Sequence, residues 1–387
     1  MFYAVFNLVW FGVFMKFSNE LYNFCVEKLN IFSLKHGFEI LERSNIVQEG
    51  WFIGSALQTI NLDAIFNGYK AAGSINTIWT RHLNVLPPNF YWEIHNQLYQ
   101  LLYVGNYSCF DLLGNFLDFL LDIFSLDKSN IFVVTDAPKS TLPNVNLIKG
   151  NLPFSINGKE IGKYSKFFIY RNNRLYPLFD SVLFEYNGKQ VLELHINISH
   201  LLVGVGYAPN IYMCPTKIDI YNEVSNKVGL CEIDLDYVYD IQLLGLWDAL
   251  RAFDDHCAYP GNNKFGHTVK RVLKMVGKNL YRKGLRYPCI IEDVHEKIVS
   301  VVNAEIKKIE YLNPSKFKEY DTKYLKETYG IDQEDLVLAS GEYTSPRIDE
   351  RLGKMPSYFT DLPFFEIADH AVIEEYMQSI MESKYKK

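Results

Sequence analysis

The chain has 387 residues, with 39 Lys and Arg against 45 Asp and Glu for a formal net charge of −6, and is 48% apolar and 22% charged. That is the ordinary balance of a soluble globular protein, long enough for two domains and a sizeable core. Its six cysteines (Cys25, Cys109, Cys214, Cys231, Cys257 and Cys289) are scattered, with no Cys-x-x-Cys pair and no histidine at ligand spacing. Neither a zinc site nor a disulfide framework is indicated, and a reducing cytoplasm fits best.

In chain order, residues 1–16 read as an apolar N-terminal extension. Asn7 and Lys16 interrupt the apolar stretch from Met1 to Phe17 within bilayer-spanning length, and no basic leader or small-residue cleavage site accompanies it. The expectation is a packed or homodimer-forming helix, with no membrane span. Phe17 to His36 then places Leu21, Phe24, Cys25, Leu29 and Phe32 on one helical stripe, closed by Gly37 as a left-handed cap. Phe38 to Leu41 alternates as a strand does, and Ile131 to Asp136, IFVVTD, is an apolar run of buried-strand length.

Further on, His195 and His200 flank Asn197 within HINISHLLVGVG, a spacing that suits packed histidines better than an acid and base. Leu201 to Pro209 is rich in glycine but lacks the Gly-Lys-Ser/Thr ending of a phosphate loop. Tyr237 to Phe253 reads as a helix. Asp254, Asp255 and His256 are consecutive on that helix, so they point in different directions and form no metal cluster.

The most distinctive stretch is Asp254 to Arg286. Pro260 to Asn263 makes a turn, and a helix follows in which Lys270, Arg271, Lys274 and Lys278 recur at three- and four-residue steps. Between Lys264 and Arg286 there are eight Lys or Arg and no Asp or Glu. In an acidic chain, such a block fits a phosphate backbone running along it, as well as a solvated helix face. Glu292 to Tyr311 is a long amphipathic helix with Val294, Ile298, Val301, Val302 and Ile306 on one side.

Pro260-x-Asn262-x-x-x-Gly266 followed by Lys270-Arg271 resembles a segment of the alanyl-tRNA synthetases, a class II aminoacyl-tRNA synthetase family. There it opens the helical domain that reads the tRNA acceptor stem. Other segments resemble the family in the same order. Ser55 to Gly68 matches in spacing, and TIWTRH places Arg81 where the family has an ATP-binding arginine. Cys109 to Phe116, CFDLLGNF, is similar to motif 2, with Phe110, Leu113, Gly114, Asn115 and Phe116 kept and Asp111 replacing a glutamate. Gly150 to Arg171 resembles the loop whose tryptophan walls the alanine pocket, a place that falls on Phe154; a strand, Phe167 to Tyr170, follows. Pro177 to Lys189 keeps Phe184, Tyr186 and Asn187 in register. His195 to Gly206 stands at motif 3, and Lys217 to Val224 resembles the segment after it.

The resemblance implies an α+β fold. A class II synthetase-like catalytic domain over 17–228, with an antiparallel sheet flanked by helices, would precede a mainly helical acceptor-stem-recognition domain over 229–387. It also implies a degenerate active site. The motif 2 arginine falls on Gly105, the amino-group aspartate becomes Asn197, and the motif 3 arginine falls near Val203 or Gly204. ATP and Mg²⁺ are implied by the resemblance alone. A tRNA acceptor stem is the implied partner, met by Asn262, Lys270, Arg271, Lys274 and Lys278, with Asp349 or Glu327 as a second contact.

Three functions follow: a tRNA-binding pseudo-synthetase without alanine activation, an enzyme with a remodelled pocket taking aminoacyl-tRNA or another activated acyl donor, or a structural protein without RNA. The side chains between CFDLLGNF and HINISHLL distinguish them, because a polar, open cleft suits an enzyme and a Phe- and Leu-filled one a pseudo-enzyme.

Overall fold

The computed structural model describes residues 20–41, 45–48, 51–52, 70–80, 83, 87, 92–104, 109–135, 142, 144–149, 153–156, 159–171, 174–186, 188–214, 217–227, 233–317, 320–344 and 346–347. The N-terminal extension, all of Ser55 to Gly68, Arg81, Gly105 and Asp349 lie outside the described residues.

The first helix, α1, covers residues 20–35. Its end is set by Gly37 at φ 76°, with the Phe38 N–H bonded to the Ser33 carbonyl and the Gly37 N–H to that of Leu34. Cys25, Leu29 and Phe32 are buried, whereas Phe24 is 38% exposed with the Lys28 ammonium 5.1 Å above its ring. Phe24 therefore departs from the expected stripe: it sits at the stripe's edge, where a cation can cover it.

Strands β1 (Glu39–Leu41), β4 (Ala71–Ile78), β5 (His95–Val104), β6 (Ile131–Thr135), β7 (Asn146–Lys149), β8 (Pro153–Ile156), β9 (Lys159–Arg171), β10 (Arg174–Tyr186) and β11 (Lys189–Asn197) form one sheet. Its order is β1-β4-β5-β11-β10-β9-β6-β7, with β8 pairing β9. The short β2 (Val47–Gln48) and β3 (Trp51–Phe52) pair separately. Antiparallel pairing dominates, as expected, but β1 with β4 and β6 with β7 are parallel. Longer connections precede each of those second strands, as parallel pairing requires.

Helix α2 (Cys109–Phe124) packs on one face of this sheet. Phe116 meets Phe32 of α1 and Phe179 of β10 edge-on at 5.2 and 5.1 Å, and Phe179 stacks on Phe167 of β9 at 4.1 Å. CFDLLGNF thus opens a helix one loop beyond β5. Leu113, Phe116, Leu117 and Leu120 fill the space between α2 and the sheet.

At its far end β11 turns into α3 (Ile198–Val205), which is followed by α4 (Ile218–Lys227). The helical half continues with α5 (Val238–Asp255), α6 (Lys264–Arg282), α7 (Glu296–Glu310), α8 (Thr322–Tyr329) and α9 (Gln333–Ser340). Close approach requires glycine at Gly245 of α5, where a Cβ would fall 2.6 Å from the Trp92 ring. One apolar cluster runs from the sheet through α5 and α6 into α7, joining the residues on either side of position 228. Among the described residues, no helix is long and apolar enough to cross a membrane.

Candidate functional site

Successive residues of a strand point to opposite faces, and directly opposed residues on paired strands share a face. Phe179 packs on α2, so Asp180 points away from it. Asp180 is paired with His195 of β11 and with Lys166 of β9, and His195 with Gln100 of β5. Gln100, His195, Asp180 and Lys166 therefore form one polar row on the face opposite α2.

Every member of the row except Gln100 has a charged partner. Lys166 Nζ lies 2.7 Å from Asp180 Oδ2, and His195 Nε2 lies 2.7 Å from Oε1 of the buried Glu193 on the same strand. Burial disfavours the charged His195 imidazole, but the Glu193 carboxylate, with help from Asp180, outweighs it and holds the pKa above its ordinary value. Gln100 is only 3% exposed, and neither atom of its carboxamide has a hydrogen-bond partner among the described residues.

A second polar group closes the strand ends. Asn197 caps α3 by accepting from the His200 N–H at 3.1 Å, and its Nδ2 donates to Glu93 Oε1 at 2.5 Å and Asn96 Oδ1 at 3.2 Å. Glu93 also faces His200 Nε2 at 3.1 Å and Lys217 Nζ at 3.3 Å. Lys217 donates to the His95 carbonyl at 2.6 Å and pairs with Asp248 of α5, which itself meets His95 Nδ1 at 3.1 Å. Burial pushes the Glu93 and Asp248 carboxyls up, yet the Lys217 charge, with His200 and His95 respectively, brings both below the ordinary carboxylate range. The Lys217 ammonium is held above its usual range, since Asp248 and Glu93 override its desolvation.

The residues expected at motif 3 lie apart from the polar row. Val203 and Gly204 are buried in α3, and a Cβ on Gly204 would fall 3.0 Å from the Pro177 carbonyl oxygen. An arginine does reach this place from another strand: Arg171 Nη2 donates to the Val203 carbonyl at 3.0 Å, with the guanidinium 5.0 Å above the Tyr176 ring. Asp111 is exposed in the first turn of α2. Phe154 lies on β8, and its side chain is outside the described residues.

In the basic segment, Asn263 caps α6 by accepting from the Gly266 N–H at 2.8 Å. Asn262 is exposed beside that cap, and its Oδ1 accepts from Lys270 Nζ at 2.9 Å. Arg271 and Lys274 are exposed, although Arg271 also donates to the Leu83 carbonyl at 2.9 Å. Lys278 corrects the expectation of one continuous basic face. It is 5% exposed and engaged with Asp332 at 2.7 Å, Glu334 at 3.0 Å and Asp335 at 3.0 Å. Arg282 pairs with Glu334, so the C-terminal half of the helix is neutralised by the start of α9. Asp254 accepts from the His295 N–H, and Glu327 is exposed on α8.

Sequence reasoning missed Glu93, Gln100, Lys166, Asp180, Glu193, Lys217 and Asp248. For Gln100, Lys166, Asp180 and Glu193 the one signal was a charged or amide residue inside an otherwise apolar strand run, as in VLELHIN and LFDSVLF, whereas Glu93, Lys217 and Asp248 lie outside the strands and had no such signal.

No protein-family model matches this sequence, and no curated protein matches it. Among solved structures, apo histidyl-tRNA synthetase from S. aureus aligns with a TM-score of 0.33 and 7% identity, covering 46% of this chain. The aligned part spans 64% of the length of that synthetase.

Proposed function

We propose that this chain is an alanyl-tRNA synthetase-like protein of class II architecture that binds a tRNA acceptor stem through its helical half and does not activate alanine. One observation carries the reading. Asn197, where the resemblance demands the carboxylate that grips the substrate amino group, turns its amide inward to Glu93 and Asn96. The apolar filling between α2 and the sheet supports it.

The polar row does not fit a triphosphate with its metal. Two cations, Lys166 and His195, are matched there by two carboxylates, Asp180 and Glu193, and no arginine stands among them. A clamp for several phosphate charges needs an excess of donors. On the helical side, Lys270, Arg271 and Lys274 supply sequence-independent attraction to phosphates, and Asn262 supplies a carboxamide suited to base edges.

Two measurements test this. Alanine-dependent pyrophosphate exchange should be absent, and robust exchange overturns the reading. Filter retention with total tRNA at low salt should show binding that Lys270→Ala and Lys274→Ala weaken for all RNAs, with a flatter salt dependence. Asn262→Ala should instead erase a G·U over G·C preference, by about 1 to 3 kcal/mol.

The buried carboxamide of Gln100, without a hydrogen-bond partner among the described residues, favours a second reading, in which the polar row accepts a small hydrogen-bonding ligand and the protein is an enzyme with a remodelled pocket.

A further inference from the structure

Beyond α7 the chain carries aromatic side chains that its own packing does not use. Of the residues of α8, Leu325 alone is buried. The helix is fixed at both ends by polar means: Asp321 accepts from the N–H groups of Lys323 and Tyr324 at 2.8 and 3.2 Å, and Gly330 closes it at φ 63°. Around this short helix Phe317, Tyr320, Tyr324 and Tyr329 form a closed set of ring contacts. Tyr320 and Tyr324 are nearly parallel, 5.7 Å apart at 11°. Phe317 meets Tyr329 at 5.7 Å, and Phe317–Tyr320 and Tyr324–Tyr329 are each 6.1 Å apart.

Tyr320, Tyr324 and Tyr329 remain 48%, 46% and 51% exposed. Large half-exposed rings grouped in this way mark an interaction surface. The charges around them choose the partner. Lys316, Lys323 and Lys326 are exposed and enter no ion pair among the described residues. Of the described acidic residues between positions 316 and 329, Asp321 is occupied as the α8 cap and Glu327 is exposed. Aromatic faces flanked by lysines that outnumber the described carboxylates and form no ion pair among the described residues suit unpaired bases strung on a phosphate backbone. An aliphatic protein partner would call for Leu or Ile in the patch, and its exposed rings are all tyrosine.

We propose that the Tyr320–Tyr324–Tyr329 platform, with Lys316, Lys323 and Lys326, binds single-stranded RNA by base stacking. The inference does not depend on the acceptor-stem reading, since it needs unpaired nucleotides and leaves α6 untouched. Every base offers a π face, so the surface is tolerant of sequence.

The test is fluorescence polarisation of the full chain with a labelled 12-residue oligouridylate and, separately, with an RNA duplex. Tyr320→Ala and Tyr324→Ala should each weaken oligouridylate binding about tenfold, as loss of one stacked base predicts. Tyr324→Phe should stay within about twofold, because it keeps the ring. Lys323→Ala with Lys326→Ala should flatten the salt dependence. Circular dichroism confirms that each variant folds.

Duplex binding that survives in the tyrosine variants, and oligouridylate binding that survives Lys270→Ala with Lys274→Ala, would separate this surface from α6. Oligouridylate affinity unchanged in the variant combining Tyr320→Ala with Tyr324→Ala overturns the proposal. So does binding removed only by the α6 substitutions, or a tyrosine-dependent dimer in sedimentation with no RNA bound.

Discussion

Asn197 Nδ2 donates to Glu93 Oε1 at 2.5 Å, and both side chains are buried. An aspartate at 197 would keep the α3 cap, because either carboxylate oxygen can accept from His200, but it would set a second carboxylate against Glu93. Asn197→Asp is expected to cost about 3 kcal/mol at neutral pH, measured by urea unfolding. The cost should shrink in acid, where one carboxyl takes up a proton, and Glu93→Gln in the same chain should recover most of it. Wild-type stability for Asn197→Asp alone would show that Glu93 is not charged.

Lys217 is the shared partner of Glu93 and Asp248, which reach it from the edge of β5 and from α5. Replacing it with methionine leaves two carboxylates buried without their cation, at a cost of about 3 to 5 kcal/mol. Lys274→Met, on the exposed face of α6, should change stability by less than about 0.5 kcal/mol. In the native protein both carboxyl pKa values are lowered by Lys217 against the effect of burial. Their stabilisation is therefore complete above the ordinary carboxylate range and is lost as pH falls through the depressed values, below about pH 4. The urea midpoint plotted against pH should show this acid limb, and Lys217→Met should remove it.

His195 carries the opposite sign. Its folded pKa is raised, since Glu193 outweighs burial, so the pair stabilises fully below the unfolded value of about 6.5 and the contribution fades as pH climbs through the higher folded value. Imidazole NMR should find His195 still protonated above that ordinary value. Glu193→Gln should bring the titration down, and an unmoved midpoint would mean that Asp180 or another group sets it.

The buried stripe of α1, the Gly37 cap, the apolar β6 and the long helices were legible because periodicity and capping act over a few neighbouring residues. The polar row was not, because it exists only through register: Gln100, His195, Asp180 and Lys166 come from four strands, and no local pattern joins them. Lys278 shows the same limit in reverse. Its spacing puts it with Lys270 and Lys274, but Asp332, Glu334 and Asp335, more than fifty residues on, surround it, and a helical wheel cannot contain them. The Asn262 segment was legible as a turn leading into a helix, since both signals lie within a few neighbouring residues, but the Asn263 cap was not read from it.

Gln100 supplies a test of whether the polar row is a relic or a binding surface. Both carboxamide atoms are buried without a partner among the described residues. Methionine has nearly the same shape and no such groups, so Gln100→Met should raise stability by about 1 to 2 kcal/mol. A fall in melting temperature would show instead that the carboxamide is held by a bound molecule whose loss is felt.

The last prediction concerns how the fold presents Asn262. The turn from Pro260 to Asn263 folds back so closely on the first turn of α6 that a Cβ at Gly266 would lie 2.3 Å from Asn263 Oδ1, 2.6 Å from the Gly261 nitrogen and 2.8 Å from its Cα. The backbone at Gly266 is helical, so glycine is needed there for space and not for an unusual dihedral angle. In Gly266→Ala the Asn263 carboxamide has to leave its cap, which costs about 1 kcal/mol, and the turn has to shift, which adds about 1 to 2 kcal/mol of overpacking. Asn262 hangs on the same turn and reaches Lys270 from it, so the shift also displaces the proposed base-reading group. Thermal unfolding should show the loss of stability. RNA binding should lose its G·U preference, as in Asn262→Ala, while keeping the salt dependence that Lys270 and Lys274 supply, because those lysines lie further along the helix. A Gly266→Ala protein with wild-type stability and undiminished G·U preference would mean that the turn is not the element that aims Asn262.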